Sequence, residues 1–359
     1  MKKILICLII LGLIGIIGFI GLILPLRYKL SNKVYCNNIL SEDYLKDQID
    51  NFIIRKFKDI YIIKDIIYNK EFNNNDLSYF VKIYYTLKLN NYEEHPIIKS
   101  YKKFLNENSF SNYKKVFLEK QLNYWVENIK NYINIQQELN IRFKGIKEND
   151  KLSLYIEDPL GNYILAENSI EIKNYSELEK EFYEYLIKNF LNFNFKNSET
   201  KYNYNPSICV NYANMYTSNT TKKIWCSSDP NDWVYQDTNY YNPNYLAFCG
   251  DCANYVSQSV CAGGIPTDSI WRPYTTSWTY CPDLNNYMWS NYCYLTYYRP
   301  YAVPGSICMM DQNNNGNPDH TTIIVYNDGS ILKYSAHTHD RKQYILPTLS
   351  FPVWFLVFY

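Results

Sequence analysis

Residues 4–26, ILICLIILGLIGIIGFIGLILPL, carry no charged side chain. As a helix rising about 1.5 Å per residue, this stretch would span roughly 35 Å, enough to cross the hydrocarbon core of a bilayer. It is longer than the apolar core of a cleaved signal peptide, which runs about 7–15 residues and ends at a small-residue cleavage site. The stretch therefore predicts an uncleaved transmembrane signal anchor at residues 1–30.

Orientation of this anchor depends on the basic residues that flank it. Lys2 and Lys3 precede the apolar stretch, and Arg27, Lys29 and Lys33 follow it. The two clusters are similar, so the positive-inside rule does not decide between the orientations. Our expectation is a single-pass protein of the cell membrane with the bulk of the chain extracytoplasmic.

The charge balance bears on the class of partner. The chain has 36 basic and 35 acidic side chains, a formal net charge of +1. This offers no electrostatic case for a nucleic-acid partner. The 39 tyrosines accompany many Asn, Ile, Lys and Phe residues. All five residue types have A- and T-rich codons, so we do not interpret the aromatic content as evidence of sugar binding.

The region 34–195 predicts an α+β accessory, or spacer, domain. Helical spacing predicts helices from Ser41 to Phe57 and within 77–105 and 113–131, whereas alternation predicts strands at 139–143, 152–156 and 162–172. Ser176 and Glu179 have the spacing of a capping box at the start of a further helix. His95 precedes Pro96 and is expected to be an exposed turn residue.

A polar segment, KNSETKYNYN, separates this region from residues 202–359, where most of the cysteines and three of the four histidines lie. Within NPNYLAFCGDCANYVSQSVCAGG, Cys252 stands where a helical pattern begins, after Gly250 and Asp251. A thiol at a helix N-terminus is biased toward thiolate by the helix dipole, and the free N–H groups there can hold an oxyanion.

The stretch DHTTIIVYNDGSILKYSAH predicts a β-hairpin around Asp328-Gly329. If these two residues form the turn, Asn327 pairs with Ser330 and His320 lies directly opposite His337. The two rings would then share a face, with Cβ atoms about 5 Å apart. A one-residue slip would place them on opposite faces.

Nucleophilic catalysis by cysteine needs a thiol, a base in reach and a group that orients the base. Cys252, His320 and His337 match these three roles. His339 and Asp340 are competing candidates for the third.

The blocks YNPSICVNYANMY, the Cys252 segment quoted above, TTSWTY, DQNNNGNPDHTTIIV and YSAHTHD resemble the bacterial putative amidase domain family. The resemblance covers about residues 202–359 and relates the chain to the papain-like cell-wall hydrolases of the NlpC and CHAP type. It departs from the family at Pro206 and Ala253, where arginine and threonine are common. It implies a papain-like cysteine amidase domain, with a cysteine-bearing helix packed on an antiparallel sheet.

What the resemblance implies for chemistry is a cysteine amidase or peptidase with Cys252 as nucleophile, His320 as general base and His337 as third residue. The substrate it implies is an amide bond of a peptide, such as a peptide of cell-wall peptidoglycan. No cofactor is implied.

Three alternatives remain open. Cys249 and Cys252 have the C-x-x-C spacing of a thiol–disulfide exchange pair. The same two cysteines with His320 and His337 have the ligand types of a zinc site. A third alternative is a cell-wall binding module without activity.

Two further patterns belong to the same region. Asp311, Asn313, Asn315, Gly316 and Asp319 match part of a calcium loop, but Thr322 stands in place of its bidentate glutamate, which favours a plain turn. Apart from Cys7 and Cys252, the chain has eight cysteines, an even number that permits disulfides without assigning any.

Overall fold

The computed structural model describes residues 41–358 except 74–75, 149–150, 192–201 and 227–232. The predicted membrane anchor, Cys7 and Cys36 lie outside the described residues. Among the helices that are described, none is both long and apolar enough to cross a membrane.

The first half of the described chain combines helices with long strands. Its helices are α1 (Glu42–Phe57), α2 (Pro96–Glu107), α3 (Asn112–Tyr132), α4 (Ala166–Ser169) and α5 (Tyr175–Phe190). Its strands are β1 (Tyr61–Asn73), β2 (Asp76–Leu87), β3 (Gln137–Glu148), β4 (Lys151–Glu157) and β5 (Tyr163–Leu165).

The second half has shorter elements. Its helices are α6 (Pro206–Met215), α7 (Cys252–Ala262), α8 (Thr276–Thr279) and α9 (Cys281–Asn291). Its strands are β6 (Lys223–Trp225), β7 (Trp233–Tyr235), β8 (Cys293–Thr296), β9 (Ile307–Met310), β10 (His320–Asn327), β11 (Leu332–Ala336), β12 (Arg341–Ile345) and β13 (Val353–Phe358). The α+β composition of the described chain agrees with the prediction.

One sheet runs through both halves. Its strand order is β1-β2-β3-β12-β11-β10-β9-β13-β8, and β4 and β5 extend from β3. The only parallel pair among the described strands joins β3 to β12, where Asn140 aligns with Tyr344. The predicted accessory and catalytic regions therefore share a sheet. The boundary predicted between them falls within residues 192–201, which the structure does not describe.

Helices cover both faces of the central strands. Phe104, Trp125 and Phe182 pack with Ile324 in one hydrophobic core. Tyr255, Val256 and Met288 pack with Ile323 and Val325 in the other. Neighbouring residues of β10 thus enter different cores, which explains why this strand is a continuous buried run instead of an alternating one. The apolar run Val353–Phe358 likewise forms an inner strand, β13, between β9 and β8.

Several N-terminal predictions are confirmed and others are wrong. Helix α1 begins after Ser41, whose hydroxyl accepts from the Tyr44 N–H, as predicted. Residues 77–87 form a strand and not a helix, because Val81, Ile83 and Tyr85 are buried at a period of two. The capping box is formed by Asn174 and Glu177, so Ser176 and Glu179 lie inside α5.

Residues 162–172 form only the short strand β5, followed by the short helix α4. His95 is fully buried, contrary to the exposed turn that we predicted. Its Nε2 lies 2.9 Å from the carbonyl oxygen of Asp328. Burial lowers the pKa of His95 to about 4, so the ring is neutral near pH 7. This histidine ties the start of α2 to the β10–β11 turn.

Buried charges reinforce the junction between the two halves. The Glu157 carboxylate of β4 accepts a hydrogen bond from Arg142 of β3 and forms an ion pair with Arg341 of β12. Arg142 also pairs with Glu71 of β1. A buried carboxylate is tolerated because it is paired on both sides.

We expect Gly329→Ala to lower the free energy of unfolding by about 2–3 kcal/mol, because a left-handed backbone and a packed core both oppose a side chain there. Gly329 has φ +87°, and an added Cβ would lie 2.6 Å from Leu178 and 2.8 Å from Ile97. Gly316 has φ +84° with open space around it, so Gly316→Ala is the matched control, with a cost of about 1 kcal/mol. Urea denaturation measures the free energy of unfolding of both variants. Equal losses of stability would contradict the close packing of Gly329 against Leu178 and Ile97.

Candidate active site

The first turn of α7 carries Cys252 as its first helical residue. Asp251 precedes it and is held on several sides. Its Oδ1 accepts from the Phe248 N–H and the Asn254 side-chain amide, both at 2.9 Å, and its own N–H donates to Thr338 Oγ1 at 2.9 Å. The start of the helix, and with it the position of the thiol, is therefore fixed by hydrogen bonds with Phe248, Asn254 and Thr338.

Cys252 lies between a second thiol and a histidine. Its Sγ is 3.4 Å from Sγ of Cys281, the first residue of α9, and it is only 6% exposed. Cys281 and then His320, by its charge and a hydrogen bond, lower the pKa of Cys252 well below its ordinary value, against the effect of burial. The Thr321 N–H also favours the charged sulfur. The surroundings therefore stabilise a thiolate at Cys252.

His320 begins β10 and is almost completely buried. Its strand pairs with β9, where His320 aligns with Met310. Within the described chain its Nε2 has no hydrogen-bond partner. The structure thus brings the predicted nucleophile and the predicted base together, but no described residue occupies the orienting position at Nε2.

The register that led us to pair His320 with His337 is wrong. Asn327 pairs with Leu332 and not with Ser330, and after a bulge Ile323 pairs with Ser335. Continued at that offset, His320 aligns with Thr338. The Asp328 carboxylate accepts from the N–H groups of Ser330 and Ile331, which stabilises a wider turn than two residues.

His337 bonds to Asp251 instead. Its Nδ1 lies 2.6 Å from Oδ2 of Asp251, and its Nε2 lies 2.5 Å from the carbonyl oxygen of Tyr216. Tyr241 and Tyr255 stack on its two faces, with centroid distances of 3.6 and 4.0 Å. Each ring nitrogen thus lies within hydrogen-bond distance of an oxygen, one of them on the buried Asp251 carboxylate. This geometry favours a role in positioning the first turn of α7; a catalytic role for His337 stays a prediction.

The two competing candidates have different surroundings. Asp340 accepts hydrogen bonds from the Tyr241 hydroxyl and the Asp237 N–H, and burial raises its pKa. His339 lies close enough to His320 for the two charges to interact. Burial, then Arg341, then His320 lower the pKa of His339 to about 3. The pKa of His339 therefore depends in part on His320.

Cys249 forms a disulfide with Cys226, across a separation of 23 residues. This removes Cys249 from the predicted exchange pair with Cys252. It also breaks up the predicted zinc set, since Cys249 is bridged and both His337 nitrogens face other partners. Six further cysteines of the described chain are free thiols: Cys209, Cys252, Cys261, Cys281, Cys293 and Cys308.

The calcium-like loop is organised by its own hydrogen bonds. The Asp311 carboxylate accepts from the N–H groups of Asn315 and Gly316. Asp319 accepts from the backbone and side chain of Asn313. These contacts support the interpretation as a turn that leads the chain to His320.

We expect the alkylation of Cys252 by iodoacetamide to stay fast well below about pH 8.5, the ordinary pKa of a cysteine. Because only the thiolate reacts, the rate should fall as the pH drops through the lowered pKa of Cys252. Peptide mapping after timed alkylation at a series of pH values measures this. Cys281→Ala and His320→Ala should each move the midpoint upward. An ordinary midpoint in the unmodified protein would contradict the thiolate assignment.

Residues 201–351 match the model of the family described as "Putative amidase domain". An alignment of 120 residues with the "Uncharacterized protein YhbB" of Bacillus subtilis (strain 168) is 29% identical and covers 29% of this chain. It covers 39% of that protein, so the chain spans about two fifths of the relative's length. No solved structure matches. The family match indicates an amidase-type hydrolase. It also confirms the resemblance found in the sequence: residues 201–351 belong to the putative amidase domain family.

Proposed function

We propose that this protein is a cysteine-dependent amidase or peptidase in which Cys252 is the nucleophile and His320 the general base. The observation that carries the proposal is the position of the Cys252 thiol, at the first residue of α7 and beside His320. The nucleophile and its base come from elements more than sixty residues apart in sequence, which only the packing of α7 on the sheet brings together. A helix that carries the thiol and a sheet that carries the base are consistent with the papain-like domain that the sequence resemblance implies.

Each group has a defined task in this mechanism. The Cys252 thiolate attacks the carbonyl carbon of the amide and forms a tetrahedral intermediate. The free N–H groups of the first turn of α7 stabilise its oxyanion, because they have no partner within the helix. His320 donates a proton to the departing amine and then takes a proton from water, which hydrolyses the acyl-enzyme.

The mechanism needs the first turn of α7 to stay fixed. His337 and Asp251 serve that purpose, since the carboxylate links the histidine to the backbone that leads into Cys252. We therefore assign His337 to positioning in this proposal.

The substrate we propose is an amide bond in cell-wall peptidoglycan peptides, cut by a protein held at the outer face of the cell membrane. Two observations support this location. The uncharged stretch 4–26 has the length of a membrane anchor. The Cys226–Cys249 disulfide is of the kind that persists in oxidising, extracytoplasmic surroundings.

Digestion of purified peptidoglycan tests the proposal. The full-length chain should release fragments with one new amino group and one new carboxyl group, and mass spectrometry of those fragments identifies the bond. Fragments that instead result from cleavage between sugars would contradict it. Cys249→Ser is the informative comparison: it should retain hydrolysis, whereas a loss equal to that of Cys252→Ala would favour an exchange mechanism.

A further inference from the structure

A second thiol is held in contact with the proposed nucleophile. Sγ of Cys281 lies 3.4 Å from Sγ of Cys252, and the two residues are 5% and 6% exposed. A disulfide needs a sulfur–sulfur distance of about 2.05 Å, so a movement of little more than 1 Å would join them. Both cysteines begin helices, α7 and α9, and the short helix α8 lies between them in sequence. The adjustment can therefore occur where each helix starts.

The two thiols differ in character. The surroundings of Cys252 favour its thiolate. Cys281 has its pKa raised well above its ordinary value, first by its hydrogen bond with Cys252 and then by burial. Peroxide-sensing pairs have this arrangement: a thiol of low pKa reacts first, and a neighbouring resolving cysteine reacts second.

Cys249 cannot take this second role, although it is closer in sequence. It is already bonded to Cys226. Cys261 lies at the other end of α7 and is half-buried. Among the described cysteines, Cys281 is the one in contact with Cys252.

We propose that Cys252 and Cys281 form a reversible disulfide that switches the enzyme off under oxidation by a hydroperoxide. This inference rests on the proposed function, since it regulates the thiol that the amidase uses. It goes beyond that function in two ways. It assigns a role to Cys281, and it adds hydroperoxides as a second class of reactant.

The chemistry proceeds in two steps. The Cys252 thiolate attacks one oxygen of hydrogen peroxide; a sulfur–oxygen bond forms, the oxygen–oxygen bond breaks, and hydroxide leaves. Sulfur is oxidised by two electrons and the peroxide is reduced. Cys281 then attacks the sulfenic sulfur; a sulfur–sulfur bond forms, the sulfur–oxygen bond breaks, and the hydroxyl leaves with the Cys281 proton as water. An added dithiol reverses the bond by exchange.

The biological consequence follows from the position of the thiol. Bonded to Cys281, the sulfur of Cys252 is no longer a thiolate and cannot attack a carbonyl carbon, so hydrolysis stops. The same bond protects Cys252 from further oxidation to sulfinic acid, which is irreversible in most proteins. An enzyme outside the cytoplasm, where oxidants are encountered, would thus regain activity when reductant returns.

The test is titration of the full-length chain with hydrogen peroxide, followed by thiol blocking and peptide mapping without reductant. We expect a linked peptide pair containing Cys252 and Cys281, a loss of two hydrogen masses, and recovery of both peptide thiols after treatment with dithiothreitol. Cys281→Ala should give no link and should instead accumulate sulfenic and then sulfinic acid at Cys252, detected with dimedone and by mass. Cys261→Ala, the matched control, should behave as the unmodified protein.

Two results would overturn the inference. One is sulfinic acid at Cys252 forming at the same rate with and without Cys281. The other is peroxide treatment that leaves both thiols unlinked. These readouts are masses and do not depend on activity. If the linked pair forms but the reduced protein hydrolyses no amide, the redox pair stands and the proposed function fails.

Discussion

Cys252→Ala is expected to lower the rate of amide hydrolysis by about 10⁴-fold or more, because removal of the nucleophile leaves only binding and oxyanion stabilisation. The fold should be kept, since the side chain loses a single sulfur and Asp251, which precedes α7, retains its hydrogen bonds with Phe248 and Thr338. The rate of hydrolysis is measured as the release of amino groups from peptidoglycan. Urea denaturation of the same samples shows whether a loss of activity comes from a loss of folded protein.

Cys261→Ala is the matched control for this change. Cys261 lies on the same helix, near its C-terminal end and away from His320. Its replacement should leave hydrolysis within about twofold of the unmodified chain, since it touches no group assigned to the reaction. Hydrolysis that survives Cys252→Ala at more than a few per cent would rule out the cysteine mechanism.

The second large effect is expected on stability. Asp251→Ala or His337→Ala should each lower the free energy of unfolding by about 2–3 kcal/mol, because each leaves a buried hydrogen-bonding group without its partner. Both side chains are only 1% exposed, so solvent provides little compensation. Urea denaturation measures the cost, and His337→Ala should also reduce hydrolysis through a looser first turn of α7.

The double variant provides the control. Removing both side chains leaves neither of them buried without its partner, so the combined cost should fall short of the sum of the single costs by about 1–3 kcal/mol. Additive costs would show that Asp251 and His337 do not act as a pair. A loss of hydrolysis in His337→Ala with unchanged stability and unchanged alkylation of Cys252 would instead favour direct participation in the reaction.

The sequence was sufficient to predict the candidate nucleophile and base. Gly250 and Asp251 before an apolar helical pattern located the start of α7, and a β-branched run located β10 behind His320. These are local signals, since each depends on a few neighbouring residues.

The sequence was not sufficient to predict which groups meet across the fold. The hairpin register depended on Asp328, whose carboxylate widens the turn through bonds to Ser330 and Ile331. Cys281 lies beside Cys252 because of the way the helices pack. The one local signal in the sequence is Pro282, which marks the start of α9 but does not show what α9 packs against. The strand at 77–87 was misread because its aromatic residues also fit a helical spacing.

One measurement tests the central claim most directly. A peptidoglycan stem peptide is mixed with the full-length chain, the reaction is quenched in acid during turnover, and the chain is mapped by mass spectrometry. We predict the acyl part of the substrate on the peptide that contains Cys252, bound as a thioester that hydroxylamine removes. Product formation with this peptide unmodified throughout, together with turnover by Cys252→Ala, would contradict the account.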